Sequence, residues 1–310
     1  MFEYHMKVIG VAALIVVMSA VTSHAQSSQS SQDTQDTLSN KWSKSIALDL
    51  TSTQTSYSDS WVGGEAGSFT WVSNLNSWAE KRISSKFNFK STLKISYGQT
   101  MTQDRETKNW SKPSKSTDLV DWENVGRLIL GGAVDPYLAF RLESQIVDAS
   151  VSAKKRNLNP MKLTESVGFA KVLVAQERNK IVSRFGFALR QIISREIVDS
   201  VLYTTATNTL TDGGIESVSD VNWSFNEKLT YTGKLTLYKA LFFSGKDAVA
   251  GTPSEDDWKA IDINWENIIT ASISKVIAVN FYTQFLYDKQ VSLRGRFKQT
   301  MGIGFALKIS

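Results

Sequence analysis

Alternation of apolar and polar residues with a period of two, repeated along most of the chain, sets the tightest limit on what this sequence can fold into. Near the end, Phe297, Met301, Ile303, Phe305, Leu307 and Ile309 share one parity, while Arg296, Lys298, Thr300, Gly302, Gly304, Ala306 and Lys308 share the other. Successive side chains of a strand point to opposite faces, so one face is greasy over its whole length and the other is polar. The same pattern sets Ile277, Val279, Phe281, Phe285 and Tyr287 against Asn280, Tyr282 and Gln284, and Ile261, Ile263, Trp265 and Ile269 against Asp262, Asn264 and Glu266. Upstream, Phe185, Phe187, Leu189 and Ile193 oppose Arg184 and Arg190; Leu138, Phe140, Leu142 and Ile146 oppose Arg141, Glu143 and Gln145; and Phe87, Phe89, Leu93 and Ile95 oppose Lys90 and Lys94. Beyond the N-terminal region, no apolar run approaches the roughly 20 residues that a spanning helix needs.

Strands are expected near 42–56, 66–80, 86–102, 117–131, 136–149, 161–174, 181–195, 215–231, 234–244, 258–271, 275–288 and 294–309. That makes about twelve, an even number. The links alternate in length. Short ones fall around Arg82, at Gly132 to Asp135, at Glu177 to Asn179, at Thr232-Gly233 and at Ser272 to Ser274; longer ones hold YSDSWVGG, MTQDRETKNWSKPSKS, VSAKKRNLN, the stretch Ile197 to Gly214, and GKDAVAGTPSEDD. Only the last hairpin, near Asp288 to Val291, departs from the contrast. A soluble sandwich also alternates, but its strands are shorter and its turns more evenly spaced. The pattern fits an all-β fold, an antiparallel transmembrane β-barrel with short periplasmic turns, longer extracellular loops and both ends in the periplasm. Trp71, Trp122, Trp223, Trp265, Tyr287 and Phe297 share the greasy parity and are expected at the long-loop ends as an interfacial girdle, with Phe87, Phe185 and Tyr231 as a second one.

Lys7 precedes the apolar stretch Val8 to Val21, and Ser23-His24-Ala25 places small residues where a secretory cleavage site needs them. Residues 1–25 therefore read as a signal peptide for export, 26–41 as a flexible polar periplasmic tail, and 42–310 as the barrel. The chain has no cysteine, which removes disulfides, thiolate metal sites and thiol nucleophiles. Its only histidines, His5 and His24, lie in the part to be removed. A mature chain without imidazole cannot carry a Ser-His-Asp triad or a His-ligated zinc. The 35 basic and 30 acidic residues are spread along the chain without a dense basic stripe, which argues against nucleic acid as a partner.

Trp61, Gly63, Gly64 and Glu65 with Ser68-Phe69, and then Asn159-Pro160 followed by Leu163-Thr164-Glu165-Ser166-Val167-Gly168, carry a resemblance. The chain resembles the uncharacterised outer-membrane β-barrels of Gram-negative bacteria, a domain of unknown function of about this length, over nearly all of its mature part. The resemblance implies a barrel and an outer-membrane location without implying an activity. It departs from many such barrels at Ile309-Ser310, where they end in an aromatic residue that helps the barrel assembly machinery.

The inward parity gathers Lys90, Lys94, Asp121, Glu123, Arg127, Arg141, Glu143, Arg184, Arg190, Asp262, Glu266, Arg296 and Lys298, together with Asp49 and Lys228. Two readings follow. In one, opposite charges pair and the lumen is closed; in the other, they line a narrow wet path and select solutes. The expected function is an outer-membrane barrel acting as a passive channel or transporter for small solutes. The alternative is a structural barrel with a closed lumen whose loops bind a protein or glycan. Arg296 and Lys298 are expected to approach Lys90 and Lys94 around the ring and to favour anions. Asp121 and Glu123 are spaced as lumen-wall neighbours rather than as an acid/base pair, so no catalytic residue is assigned. Gly63-Gly64 reads as a turn, and Glu255-Asp256-Asp257 lacks the spacing of a calcium loop, so no metal and no cofactor are expected. Lys154-Lys155-Arg156 in a long loop is the candidate contact for lipopolysaccharide phosphates, and lipid is the expected surrounding.

Overall fold

A computed structural model of the chain describes residues 42–57, 66–199 and 201–309. The signal peptide, the polar tail and Trp61, Gly63, Gly64 and Glu65 lie outside the described residues. Among the described residues, fourteen strands follow one another in sequence. They are β1 Ser43–Thr55, β2 Ser68–Ser84, β3 Phe87–Thr102, β4 Ser114–Leu128, β5 Asp135–Ser144, β6 Val147–Asp148, β7 Arg156–Asn157, β8 Met161–Ala175, β9 Lys180–Ile197, β10 Thr205–Ser224, β11 Leu229–Phe243, β12 Ile261–Ser272, β13 Ile277–Tyr287 and β14 Arg296–Ile309. All but β6 and β7 join in one closed antiparallel ring, in chain order, with β1 sealing against β14 through Ile46 to Thr51 opposite Ile309 to Gly304. Closure leaves no sheet edge along the ring order, which is how a sheet satisfies its amides in a solvent that cannot bond to them.

The alternation read from the sequence is the inside–outside division of this ring. Arg184 is 3% exposed and the next residue, Phe185, is 60% exposed. Leu138, Val167, Phe169 and Phe297 are likewise exposed on the outside, whereas Asp121, Arg190, Asp212, Glu216 and Glu266 are buried within. In water this arrangement would place its apolar side chains in the unfavourable solvent and bury its charges. In lipid it is the stable one. The inner wall is padded with small residues along β5, β8 and β9, where Ala139, Ala170 and Ala188 are buried. At Gly168 the neighbouring strand is so close that a Cβ would lie 2.2 Å from the Phe185 carbonyl oxygen, so no larger residue fits there.

Several boundaries differ from those expected. The segment 197–214 is mostly strand: β10 begins at Thr205, and only 198–204 link it to β9. Gly213-Gly214 is a bulge within β10, with the Phe242 ring lying where a Cβ of Gly213 would be. Thr232-Gly233 is no turn either, because both residues lie inside β11, with the Tyr231 ring lying where a Cβ of Gly233 would be. The true turn is 225–228, where Asn226 Oδ1 accepts from the amides of Lys228 and Leu229 at 2.8 Å each. An Asn in that role mimics a backbone turn. Lys228 therefore belongs to the turn rather than to the lumen wall. The strand expected at 136–149 stops at Ser144, and β4 spans 114–128 rather than 117–131. The last link runs over 288–295, so it too is long and the contrast between the two ends holds throughout. Trp223 is a further correction. It sits beside the short 225–228 turn, opposite Tyr231, and belongs to the girdle at that end, whereas Trp71, Tyr287 and Phe297 lie at the long-loop end.

Candidate functional site

Charged side chains converge in the lumen, and strand register determines how they meet. Asp121 on β4 lies opposite Lys94 on β3 and Glu143 on β5, while Glu123 lies opposite Arg141. From these positions Arg141 grips Asp121 with two hydrogen bonds, Nε to Oδ1 at 2.8 Å and Nη2 to Oδ2 at 2.9 Å, and reaches Glu143 at 3.2 Å. Lys162 completes this lateral chain against Glu143 at 3.4 Å. Neighbouring strands explain these contacts, since cross-strand pairs on one face are within side-chain reach.

Other pairs cross the lumen. Glu123 accepts from Arg184 Nη2 of β9 at 2.7 Å and from Lys234 Nζ of β11 at 2.7 Å. In the ring β11 and β4 are separated by β10, β9, β8 and β5, so the Lys234 side chain spans the interior. Lys94 of β3 donates to Glu266 of β12 at 2.8 Å, past β2, β1, β14 and β13. Toward the short-turn end, Lys180 of β9 reaches Glu80 of β2 at 3.0 Å, and Asn88 Nδ2 donates to the same carboxylate at 3.0 Å. Toward the long-loop end, Arg190 donates twice to Asp212, at 2.7 and 2.9 Å, and once to Asp262 at 2.7 Å. Its guanidinium lies 3.5 Å from the centre of the Tyr238 ring, and Tyr238 Oη donates to Asp212 at 2.5 Å. Bidentate and stacked contacts of this kind are what a planar guanidinium makes and an ammonium does not.

Of the expected lumen residues, Lys94, Asp121, Glu123, Arg127, Arg141, Glu143, Arg184, Arg190, Asp262 and Glu266 all enter this network, Arg127 through Asp135 at 3.2 Å. Lys90, Arg296 and Lys298 make no ion pair among the described residues; Lys298 lies 5.8 Å from the centre of the Tyr282 ring. The expected basic arc is not formed. Lys94 is neutralised by Glu266, and Lys90 lies near the short-turn start of β3 whereas Arg296 and Lys298 open β14 at the other end. Sequence reading missed Asp212, Glu216, Asp220, Lys234, Tyr238, Glu80 and Lys180. Most of these lie on β10 and β11, whose shared turn falls at 225–228, earlier than the Thr232-Gly233 that the sequence pattern suggests.

The long β5–β8 link, which contains β6 and β7, is folded down by buried polar groups. Asp118 accepts from the amides of Ile146 and Val147 at 2.6 and 2.9 Å. Asn159 donates to Asp148 at 2.8 Å and accepts from the Arg195 amide at 2.6 Å. Burial pushes the Asp148 carboxyl up, but the Ser150 amide, Asn159 and Arg156 outweigh it and hold it below the usual range. Arg156 itself is bound to Asp148 at 2.6 Å, which leaves Lys154 and Lys155 as the exposed cations of that basic run. Among the described residues no three carboxylates converge as a metal site requires.

Charges paired inside and hydrocarbon outside define a transmembrane β-barrel with an ion-pair lattice across its lumen. Solved structures similar to the chain include an outer membrane channel from Pseudomonas putida F1, at 11% identity and TM-score 0.41, covering 90% of this chain and 99% of that one. The NanC porin is similar at 11% identity and TM-score 0.36, over 85% of this chain and all of that one (100%). The translocator domain of the autotransporter NalP from Neisseria meningitidis is similar at 11% identity and TM-score 0.35, over 86% and 90%. No family model and no curated protein matches the chain.

Proposed function

We propose that the protein is a passive channel of the outer membrane for small solutes, constricted by the ion pairs that cross its lumen. The observation that carries this reading is the Glu123 clasp, in which Arg184 of β9 and, reaching across the interior from β11, Lys234 converge on one carboxylate of β4. The interior is filled by charged side chains, and ions and water exchange with a salt bridge more readily than with packed hydrocarbon. Lipid surrounds the barrel, and Lys154 and Lys155 face the phosphates of lipopolysaccharide. No catalysis is assigned.

The test is conductance of the purified barrel in planar bilayers. A low native conductance is expected, rising severalfold in Glu123→Gln, with folding of the variant checked by gel mobility before and after heating. Because Lys90, Arg296 and Lys298 make no ion pair among the described residues, reversal potentials across a salt gradient should show mild anion preference that shrinks as screening increases. A Lys90→Glu, Lys298→Glu double variant should move the preference toward cations. No conductance in either native or Glu123→Gln protein overturns the channel and favours a closed, partner-binding barrel. One observation supports that second reading: Val198, Val201 and Leu202, at 66%, 82% and 73% exposure, place an apolar tip on the β9–β10 loop, outside the membrane.

A further inference from the structure

Glu165 lies on the lipid side of the barrel. It pairs in register with Phe140 of β5 and Leu189 of β9, both on the outer face, and it is exposed there while Thr164 and Ser166 on either side are buried toward the lumen. Leu163, Val167 and Phe169 share its face, so hydrocarbon-facing residues flank it in both directions. The middle of β8 is Gly168. With about 2.5 Å of height per residue in a strand tilted near 40°, the carboxylate lies roughly 7–8 Å from the centre of an apolar band about 25 Å tall. An ionisable group at that depth needs a donor that hydrocarbon tails do not supply.

Gln191 is its diagonal neighbour. It stands opposite Leu163 on β8 and Thr211 on β10, on the same outer face. Among the described residues, neither Glu165 nor Gln191 has a side-chain partner. Several other polar groups of the outer face are satisfied within the barrel: Ser183 and Ser219 bond each other at 2.8 Å, Trp122 Nε1 donates to Ser91 at 3.1 Å, and Tyr231 Oη donates to Asn267 at 2.7 Å. On β8 and β9 a carboxylate acceptor and an amide donor stand side by side on this face, each without a side-chain partner among the described residues.

We propose that the outer face of β8 and β9 is a homodimer interface, in which Gln191 of each copy donates to Glu165 of the other across a twofold axis parallel to the barrel axis. The occupant is a second copy of this chain because the arrangement is self-complementary. Rotation about an axis running between Glu165 and Gln191 brings the donor of one copy opposite the acceptor of the other and satisfies both twice. Exposed Leu138, Val167, Phe169 and Phe185 continue the same face from the pair toward the short-turn end and supply the packing surface. A carboxylate in lipid disfavours the lone barrel, and the contact removes that cost in both copies at once. The inference stands whether or not the lumen conducts.

The absence of cysteine from the chain makes the test clean. Val167→Cys in the full-length protein, in outer membranes and in lipid vesicles, should oxidise to a covalent dimer, whereas Met301→Cys on the far side of the ring should stay monomeric. Adding Glu165→Leu or Gln191→Leu, both compatible with lipid and with folding, should cut the dimer yield about tenfold. The exchanged double variant Glu165→Gln, Gln191→Glu should restore it, because the donor and acceptor merely swap places. A native barrel that is monomeric by sedimentation in detergent and uncrosslinked in membranes overturns the proposal. So does a dimer indifferent to both leucine variants, or a cyclic trimer, whose interfaces are not reciprocal.

Discussion

Arg190→Leu is expected to lower the unfolding free energy by about 3–5 kcal/mol, the cost of breaking a buried ion pair from one side. Arg190 is 6% exposed and holds Asp212 and Asp262 together, so its loss leaves two carboxylates on the lumen wall with only the Tyr238 hydroxyl as a remaining donor to Asp212. Replacing all three charges, Arg190→Leu with Asp212→Leu and Asp262→Leu, should recover much of the loss, because the desolvation of the carboxylates disappears with them. Urea unfolding in detergent, followed by tryptophan fluorescence and by gel mobility, measures both. The magnitude also reports on the lumen. If the cluster sits in free water, the pair is worth only about 0–1 kcal/mol, as at a protein surface. A loss that small for Arg190→Leu would show a wet upper lumen and argue for an open channel over a closed one.

Legibility of the fold in the sequence followed the lipid. Within the apolar band one face of a strand must be hydrophobic, so β5 and β13 could be read residue by residue and their faces are as expected. Above the band the constraint lapses. The start of β10, Thr205 to Thr211, is strand with almost no apolar residue, and its Asp212-Gly213-Gly214 imitates a turn although the glycines serve close packing against Phe242 and Lys239. That single misreading displaced the turn into β11 and hid Asp212, Asp220 and Lys234. The available signal was Asn226, whose side chain caps the real turn. Which residues line the lumen was visible from parity; which ones meet across it was not. Lys94 and Glu266 are 172 residues apart in sequence, and their meeting depends on ring closure and strand stagger, which no local pattern encodes. Glu165 shares the parity of Leu163, Val167 and Phe169, and the register adds which outer-face residues of β5 and β9 stand beside it.

The second large effect separates the two faces. Phe281 lies near the middle of β13, facing outward between Ile269 and Met301, and Phe281→Arg is expected to cost about 2–4 kcal/mol because a cation near the bilayer midplane has no partner. Gln284 on the same strand faces inward, where its amide donates to Asn264 at 3.0 Å and to Glu266 at 3.3 Å. Arg at Gln284 keeps a donor beside those oxygens and should change stability by about 0.5 kcal/mol or less. Leu189 refines the test. It faces lipid like Phe281, yet it stands directly opposite Glu165, so Leu189→Arg brings its own counter-ion and should cost clearly less than Phe281→Arg. In a Glu165→Leu background that discount should vanish, with the two arginine variants becoming equally damaging in heat-modifiability and urea assays. Equal tolerance of arginine at Phe281 and Gln284 would mean that the faces are wrongly assigned. A Leu189→Arg variant as damaging with Glu165 as without it would mean that this carboxylate is not held where a neighbouring cation can reach it.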